Sequence, residues 1–195
     1  FASSSSVYGA SQRIPFREDD RELHPLSPYA ATKLAAELLC ETYAHLYDFG
    51  VVCLRLFSVF GPRQRPDLAI RLFTERIERG EPIQVFGNGE SARDYTYVDD
   101  AIQAMCAALE LNARFEIINV GSSRPLSLMT VIRTIEEVTQ KRIGIIHIPP
   151  NPADPEVTRA CIAKAQALLH YQPAVAFEDG VARFYGWLKG QRTFQ

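Results

Sequence analysis

The chain has 195 residues, of which 47% are hydrophobic and 23% are charged, and its formal net charge is −2. A net charge this close to zero indicates no basic surface of the kind that binds nucleic acid. No apolar run in the sequence is long enough to cross a membrane. We therefore expect neither a nucleic-acid nor a membrane partner. The four cysteines (Cys40, Cys53, Cys106 and Cys161) are scattered, which predicts buried free thiols, no metal site and a cytoplasmic location.

The amino-terminal segment predicts a strand end, a long loop and a helix. Phe1 to Ser3 have the character of the last residues of a strand, and 7–26 is a loop rich in charge, glycine and proline. Ser27 and Pro28 are an N-cap and a first-turn proline, so a helix should run from there to about Tyr47. Its apolar residues should form the buried face: Leu34, Leu38, Leu39, Tyr43 and Leu46.

The rest of the chain mixes helices with short strands. The nearly continuous apolar run from Val51 to Phe57 is typical of a strand covered on both faces. Because helices and strands alternate throughout, we predict one α/β unit with a small C-terminal lobe. Asp99 and Ser127 should cap helices. Further helices are predicted over 68–79, 99–109, 127–138, 162–169 and 177–188, and strands over 83–86, 94–98, 115–120 and 143–148.

Tyr29 and Lys33 are the pair with the most chemical information. Residues four apart lie on the same side of a helix, and an ammonium beside a phenol lowers the pKa of the tyrosine. A hydroxyl from the serine run at 3–6 could then bind the substrate oxygen whose proton the tyrosine removes. This combination suits the oxidation of a secondary alcohol. On these residues alone, a helix-surface pair and turn-capping serines remain the alternatives.

Two isolated arginines, Arg65 and Arg93, lie in loops beside apolar strands. Each is either a solvated surface charge or a bidentate ligand for a phosphate or carboxylate. Gly87 and Gly89 indicate a turn, since no G-x-G-x-x-G pattern follows a strand in this sequence. The four histidines form no cluster, so we expect no ligand or base role for them.

Six motifs in one order make the sequence similar to the extended short-chain dehydrogenase/reductase family of sugar-nucleotide epimerases and dehydratases. They are FASSSSVYG (1–9), SPYAATK (27–33), LRLFSVFGP (54–62), VFGNG (85–89), RDYTYVDD (93–100) and NVG (119–121). The resemblance implies the C-terminal part of a Rossmann-like doubly wound parallel sheet plus a small mixed α/β substrate-binding lobe. Residues 1–60 would belong to the sheet and 61–195 mainly to the lobe, with 94–120 returning to the sheet.

The resemblance also implies an NAD cofactor, a UDP-sugar substrate and roles for single residues. Tyr29 would be the catalytic base, Lys33 would bind the nicotinamide ribose, and Ser4 would be the catalytic hydroxyl. Phe57 would join Tyr29 and Lys33 in contacting NAD. Phe86 would stack on the nucleotide base and Arg93 would hold the diphosphate. The implied substrate-binding residues are Ser5, Ser6, Ser58, Arg65, Val85, Phe86, Arg93 and Asp154.

The implied reaction is oxidation and re-reduction at the sugar C4 through a transient 4-keto sugar. Related dehydratases have acidic residues at the two positions after the catalytic serine, and related decarboxylases have a glutamate at the second. Ser5 and Ser6 supply no carboxylate, which favours a 4-epimerase. The loop at 61–69 is similar to that of UDP-glucuronate 4-epimerases, so UDP-glucuronate or UDP-glucose is the expected substrate. The alternatives are a dehydratase, decarboxylase or reductase of the family, and a non-catalytic remnant that binds UDP-sugar.

Two further expectations concern the whole protein. Members of the family begin with βαβ units whose glycine-rich turn binds the cofactor pyrophosphate, and that turn is not in this sequence. We therefore expect the first, NAD-binding half to be missing and the chain alone to be inactive. Members usually dimerise through two helices per subunit, and the helix from Ser27 to Tyr47 is one candidate for a homodimer of the full-length protein.

Overall fold

The computed structural model of the protein describes residues 1–150 and 155–192. Its elements alternate between strands and helices along most of the chain. They are β1 (Ala2–Ser4), α1 (Pro28–Tyr47), β2 (Val51–Leu56), β3 (Val59–Phe60), α2 (Ala69–Arg79), β4 (Ile83–Phe86), β5 (Ala92–Asp94), β6 (Thr96–Tyr97), α3 (Val98–Glu110), β7 (Phe115–Val120), β8 (Pro125–Ser127), α4 (Leu128–Thr139), β9 (Ile145–Ile148), α5 (Ala163–Leu169) and α6 (Phe177–Arg192).

The largest sheet has three parallel strands in the order β1-β2-β7. Ser3 lies opposite Arg55, which in turn lies opposite Asn119. Each strand is separated from its neighbour by helical segments, as parallel strands require. The predicted α/β fold with parallel strands is therefore confirmed, whereas the division at residue 60 stays a prediction.

Three short strand pairs lie outside this sheet. β3 pairs with β6 and β4 with β9 in parallel, and β5 pairs with β8 in antiparallel fashion. The single strand predicted over 94–98 is thus two strands with different partners. The sequence did not predict β3 or β8, because two or three residues carry too little periodicity to be recognised.

The interior is divided into three apolar clusters. The largest joins α2, α4 and α6 around Phe60, Ile70 and Ile132. A second packs α3 and α5 against β2 and β7. The third is small and lies below the carboxyl ends of β1 and β2, where it supports the residues described in the next section: Val7, Tyr8, Phe16, Phe57 and Ala160.

The buried side of α1 differs from the predicted one. Only Ala30, Glu37 and Ala44 of this helix are buried. Of the predicted apolar face, Leu34 is half-buried and the other four side chains are exposed: Leu38, Leu39, Tyr43 and Leu46. The prediction was wrong because it assumed that the bulkiest stripe faces the sheet, whereas two alanines let the helix approach the strands closely.

The helix caps were predicted with mixed success. Ser27 and Ser127 are both N-caps, and their hydroxyl oxygens accept from the amides of Ala30 and Thr130 at 3.1 Å each. Asp99 is not a cap, because α3 already begins at Val98.

The four cysteines are free, as expected, but only Cys53 is buried and Cys106 is exposed. The prediction that all are buried was therefore wrong. No helix within 1–150 and 155–192 combines the length and the hydropathy needed to cross a lipid bilayer.

Candidate active site

A cavity of about 240 Å³ opens at the carboxyl ends of β1 and β2. This is the edge at which open parallel sheets bind ligands. Four of the predicted substrate-binding residues meet here, together with Ser27, the N-cap of α1, and Ala30, which directly follows Tyr29. The lining residues are Ser5, Ser6, Gly9, Phe16, Leu26, Ser27, Ala30, Ser58, Arg93, Pro155 and Thr158.

The end of β1 presents the serine run to this cavity. Ser4 is the N-cap of a short 3₁₀ turn over Ser5–Tyr8. Its hydroxyl oxygen accepts from the Ser6 amide at 3.2 Å and from the Ser6 hydroxyl at 2.9 Å. Because a hydroxyl oxygen has two lone pairs, both of which are used, the Ser4 O–H can act only as a donor toward a further oxygen. The capping role and the predicted catalytic role are therefore compatible.

Tyr29 and Lys33 lie on one side of α1, as their spacing predicts. The Lys33 ammonium is 5.7 Å from the centroid of the Tyr29 ring and donates to the Ala2 carbonyl at 2.8 Å. The lysine therefore reaches from α1 to β1, the strand that ends at Ser4. The Tyr29 side chain is 56% exposed, so its phenol is accessible to a ligand.

Tyr8 is the other tyrosine near the serine run, and the structure gives it a different role. It is fully buried, and its hydroxyl donates to Asn119 Oδ1 at 2.7 Å. Burial raises the pKa of Tyr8 well above its ordinary value, mainly by desolvation. A proton acceptor must be accessible to its substrate, which excludes the buried Tyr8 and leaves the exposed Tyr29 as the candidate base near the serines.

Arg93 supplies a positive charge to the cavity. Its guanidinium donates to the Ala92 carbonyl at 2.8 Å and to the Glu156 carbonyl at 3.4 Å, which orients the side chain. Ser58 has a φ of 22°, a strained value for a residue that is not glycine, and its carbonyl accepts from the Thr96 amide at 3.2 Å. Strain of this kind clusters at functional sites.

Asp94 holds the segments that surround Arg93. Its buried carboxylate accepts from the Ser122 amide and hydroxyl, both at 2.7 Å, from the Ser123 amide at 3.0 Å and from the Ala160 amide at 2.8 Å. Desolvation raises the pKa of Asp94, while these hydrogen bonds oppose the shift. One carboxylate therefore joins β5 to the chain after β7 and to the segment before α5.

The remaining predicted residues lie elsewhere. Phe57 and Val85 do not line the cavity, and both side chains are fully buried. Phe86, which is 48% exposed, lies at the end of β4 and does not line the cavity. Arg65 is also absent from the lining; its side chain is 72% exposed and pairs with Asp67 at 3.0 Å. Asp154 lies outside the described residues.

A larger groove of about 840 Å³ lies at the amino-terminal end of β2 and is lined by residues such as Phe1, Phe49 and Leu109. The predicted catalytic residues Ser4, Tyr29 and Lys33 line neither this groove nor the smaller cavity, but Ser5 and Ala30, the chain neighbours of Ser4 and Tyr29, line the smaller one. Ligands of open α/β sheets bind at the opposite, carboxyl ends of the strands. The smaller cavity beside Arg93 is therefore the candidate active site.

Sequence reasoning missed a buried ion pair below this site. Glu37 on α1 and Arg55 on β2 are each 2% exposed and form two hydrogen bonds, at 2.8 and 3.0 Å. The available signal was a glutamate one turn after Lys33 on a helix that must pack on the sheet. This signal was not decisive, because Glu37 can be paired with Arg55 only when the register of the strands is known.

Comparison with known proteins shows the family of the chain. The sequence profile of the NAD dependent epimerase/dehydratase family matches residues 1–121, and the chain belongs to this family. The UDP-glucuronate 4-epimerase of Thermodesulfobacterium geofontis is 42% identical over 189 residues, which are 96% of this chain and 58% of that protein.

Two solved structures show the same fold. A UDP-glucuronic acid 4-epimerase from Bacillus cereus, in complex with UDP-glucuronic acid and NAD, is 38% identical with a TM-score of 0.91, over 97% of this chain and 60% of that one. The UDP-glucose 4-epimerase of Thermotoga maritima, with UDP-glucose, is 30% identical with a TM-score of 0.90, over 100% of this chain and 63% of that one. The chain thus spans less than two thirds of each relative.

Proposed function

We propose that this chain carries the substrate-binding and proton-transfer part of an NAD-dependent sugar-nucleotide 4-epimerase acting on UDP-glucuronate or UDP-glucose. The observation that carries the proposal is the cavity at the carboxyl ends of β1 and β2, which Ser5, Ser6, Ala30 and Arg93 help to line. Ser4 and Tyr29 are the chain neighbours of Ser5 and Ala30, and the Lys33 ammonium lies beside the Tyr29 ring. The similarity to epimerases of both substrate types supports the same reaction class.

Each group has a step that its chemistry fits. Arg93 binds the diphosphate of the substrate, since a guanidinium matches phosphate oxygens. The Ser4 hydroxyl donates to the C4 oxygen, and Tyr29 takes the proton from that oxygen. The Lys33 ammonium stabilises the phenolate form of Tyr29, which becomes a neutral phenol when it takes that proton. On the return step, Tyr29 gives the proton back to the C4 oxygen.

The nicotinamide side of an NAD site is consistent with these residues. The Tyr29 side chain is accessible and the Lys33 ammonium lies beside it, so a ribose hydroxyl could be bound there. When bound, NAD would accept the C4 hydrogen as hydride and return it to the other face of the ring. Phe57 could contribute to this site only through its backbone, because its ring is buried with Tyr8 and Phe16.

The serines favour an epimerase over the other reactions of the family. Elimination or decarboxylation would be assisted by a carboxylate at the position of Ser5 or Ser6, and both are hydroxyls that line the cavity. Their hydroxyl groups can donate to the carboxylate of an anionic sugar, so we propose UDP-glucuronate as the preferred substrate. Phe86 and Asp154 stay predicted contacts of the base and the sugar.

We also propose that the full-length protein is a homodimer joined through α1. Large apolar side chains cover the side of this helix that faces away from the sheet, and they are exposed in a single chain: Leu38, Leu39, Tyr43, Leu46 and Tyr47. A patch of this kind marks an interaction surface.

The test uses the protein at the length that its own gene encodes, here called the gene-length protein. It is offered NAD with UDP-glucuronate, and separately with UDP-glucose, and the products are identified by nuclear magnetic resonance. We expect the C4 epimer of UDP-glucuronate to form. Conversion of UDP-glucose alone would overturn the substrate assignment, a dehydrated or decarboxylated product would overturn the reaction, and UDP binding without turnover would indicate a non-catalytic binder.

A further inference from the structure

We propose that the buried Glu37–Arg55 pair is the positioning element that fixes α1, with Tyr29 and Lys33, relative to Ser4 at the end of β1. The inference rests on the proposed function for its kinetic consequence, but its structural part stands independently. Neither Glu37 nor Arg55 lines the cavity. Both would therefore act indirectly, by positioning Tyr29, Lys33 and Ser4.

The contact surface of α1 is the first argument. Along its 20 residues, the buried side chains are Ala30, Glu37 and Ala44, spaced seven residues apart. An alanine methyl packs closely but has no direction, so the two buried alanines by themselves do not fix the position of the helix along its axis. Glu37 is the one buried side chain of α1 that makes directional bonds, and it lies one turn after Lys33 and two turns after Tyr29.

The bonds of Glu37 are the second argument. Its Oε1 accepts from Arg55 Nε at 3.0 Å and its Oε2 accepts from Arg55 Nη2 at 2.8 Å. Oε1 also accepts from the Ser3 hydroxyl. The Glu37 carboxylate therefore bonds to residues of both β1 and β2. Its partner on β1, Ser3, directly precedes Ser4. A bidentate pair of this kind fixes orientation as well as distance.

The network continues to the opposite wall of the cavity. The Arg55 guanidinium carbon lies 4.8 Å from the centroid of the Tyr8 ring, and the Tyr8 hydroxyl donates to Asn119. The Asn119 side-chain amide donates to the carbonyl of Phe16 at 3.0 Å, and Phe16 lines the cavity. One chain of buried contacts thus links α1, the three strands β1, β2 and β7, and the loop that contains Phe16.

Burying two charges is costly, and well-packed apolar side chains can often replace such a pair without loss of stability. The pair is therefore better explained by what it orients than by what it adds to stability. An error of about 1 Å in the placement of reacting groups can cost about 100-fold in rate.

The test compares two double variants of the gene-length protein. Glu37→Gln with Arg55→Met removes both charges together, so that no buried charge is left unpaired. Arg71→Met with Glu75→Gln is the matched control, because it removes a partly buried ion pair of 2.8 Å on α2, away from the cavity. If the first variant does not fold, Ser3→Ala replaces it, with Thr74→Ala on α2 as the control that also loses a buried hydroxyl.

Three quantities are measured: kcat, the dissociation constant of UDP, and amide hydrogen exchange over 1–8 and 27–34. We expect the Glu37 variant to lose about 10- to 100-fold in kcat, to bind UDP within about twofold of wild type, and to exchange faster in those two segments. The control should change none of them. A loss of kcat without faster exchange, faster exchange without a loss of kcat, or equal effects in the control would each overturn the proposal.

The exchange measurement separates this proposal from the proposed function. If wild type performs no epimerisation, the proposed function fails and the kinetic comparison has no meaning. Faster exchange confined to 1–8 and 27–34 would then still support the positioning role. Unchanged or uniformly faster exchange would overturn it.

Discussion

Tyr29 has the central role at the scale of single residues. We expect Tyr29→Phe to lower kcat about 100- to 10,000-fold, because the phenol is the proposed proton acceptor and general-base catalysis is worth that much. The dissociation constant of UDP should change little. Steady-state kinetics and calorimetry on the gene-length protein measure the two quantities. Tyr43→Phe, which removes an exposed hydroxyl further along α1, is the control, and a Tyr29→Phe protein with wild-type kcat would contradict the assignment.

Arg93 is the residue proposed to bind the diphosphate. Arg93→Gln should weaken UDP binding by about 10- to 100-fold, which corresponds to the loss of one or two charge-assisted hydrogen bonds. Titration calorimetry gives the dissociation constant. Arg142→Gln, at an exposed arginine paired with Glu136, should leave it unchanged. Equal dissociation constants for the two variants would show that Arg93 does not contact the ligand.

The sequence predicted those site residues whose evidence is local. The helical spacing of four predicted that Tyr29 and Lys33 lie on one side of α1, whereas the roles given to them and to Ser5 and Ser6 came from the resemblance to the family. The Glu37–Arg55 pair and the contacts of Asp94 could not be predicted, because they join residues 18 to 66 positions apart. Such pairs depend on strand register and loop paths, which periodicity does not encode.

At the scale of elements, α1 shows how far hydrophobic pattern can be used. The sequence predicted the existence, cap and length of this helix, which depend on local signals. It did not predict which side is buried, because the pattern is the same for a side that packs on the sheet and a side that packs on another subunit. The two exposed leucines at 39 and 46 belong to the second kind in our proposal.

The dimer proposal predicts a change in mass. Leu39→Glu with Leu46→Glu should convert a dimer of the gene-length protein into a monomer, because two charges would have to be buried in the interface. Sedimentation or light scattering gives the mass. Ile102→Glu, at an exposed apolar residue on α3, should leave the dimer intact. A dimer that survives the double change would exclude α1 as the interface.

The burial of the Asp94 carboxyl leads us to expect an unusual dependence of the protein's stability on pH. Burial is the largest cause acting on this carboxyl and raises its pKa above the ordinary value of 3.8. The folded state therefore binds the proton more tightly than the unfolded state does. The protonated Asp94 carboxyl therefore contributes its full stabilisation at pH values below the pKa that it has in the unfolded chain. That stabilisation is lost as the pH rises through the higher pKa that it has in the folded protein.

The comparison that isolates this effect uses Asp94→Asn. The substitution should cost about 1 to 3 kcal/mol, since an amide cannot accept all four hydrogen bonds. Urea unfolding at several pH values gives the free energy of unfolding of both proteins. The advantage of wild type over the variant should be larger at pH 4 than at pH 7. An advantage that grows with pH would show that hydrogen bonding, not burial, sets the pKa of Asp94.

At the scale of the whole molecule, we propose that the chain holds the substrate side of the site, and no G-x-G-x-x-G pattern follows a strand in its sequence. We expect the 195-residue chain to bind UDP and not NAD, and to show no epimerase activity by itself. Titration calorimetry with each ligand tests this directly. Micromolar binding of NAD, or turnover by the chain alone, would contradict the expectation.

The central claim is that the C4 hydrogen of a UDP-sugar leaves and returns to the same carbon while Tyr29 moves the proton of the C4 oxygen. The most direct measurement incubates the gene-length protein and NAD with UDP-glucuronate carrying deuterium at C4. The account predicts the C4 epimer with the deuterium retained at C4. Loss of deuterium to solvent, or recovery of unchanged substrate, would contradict it.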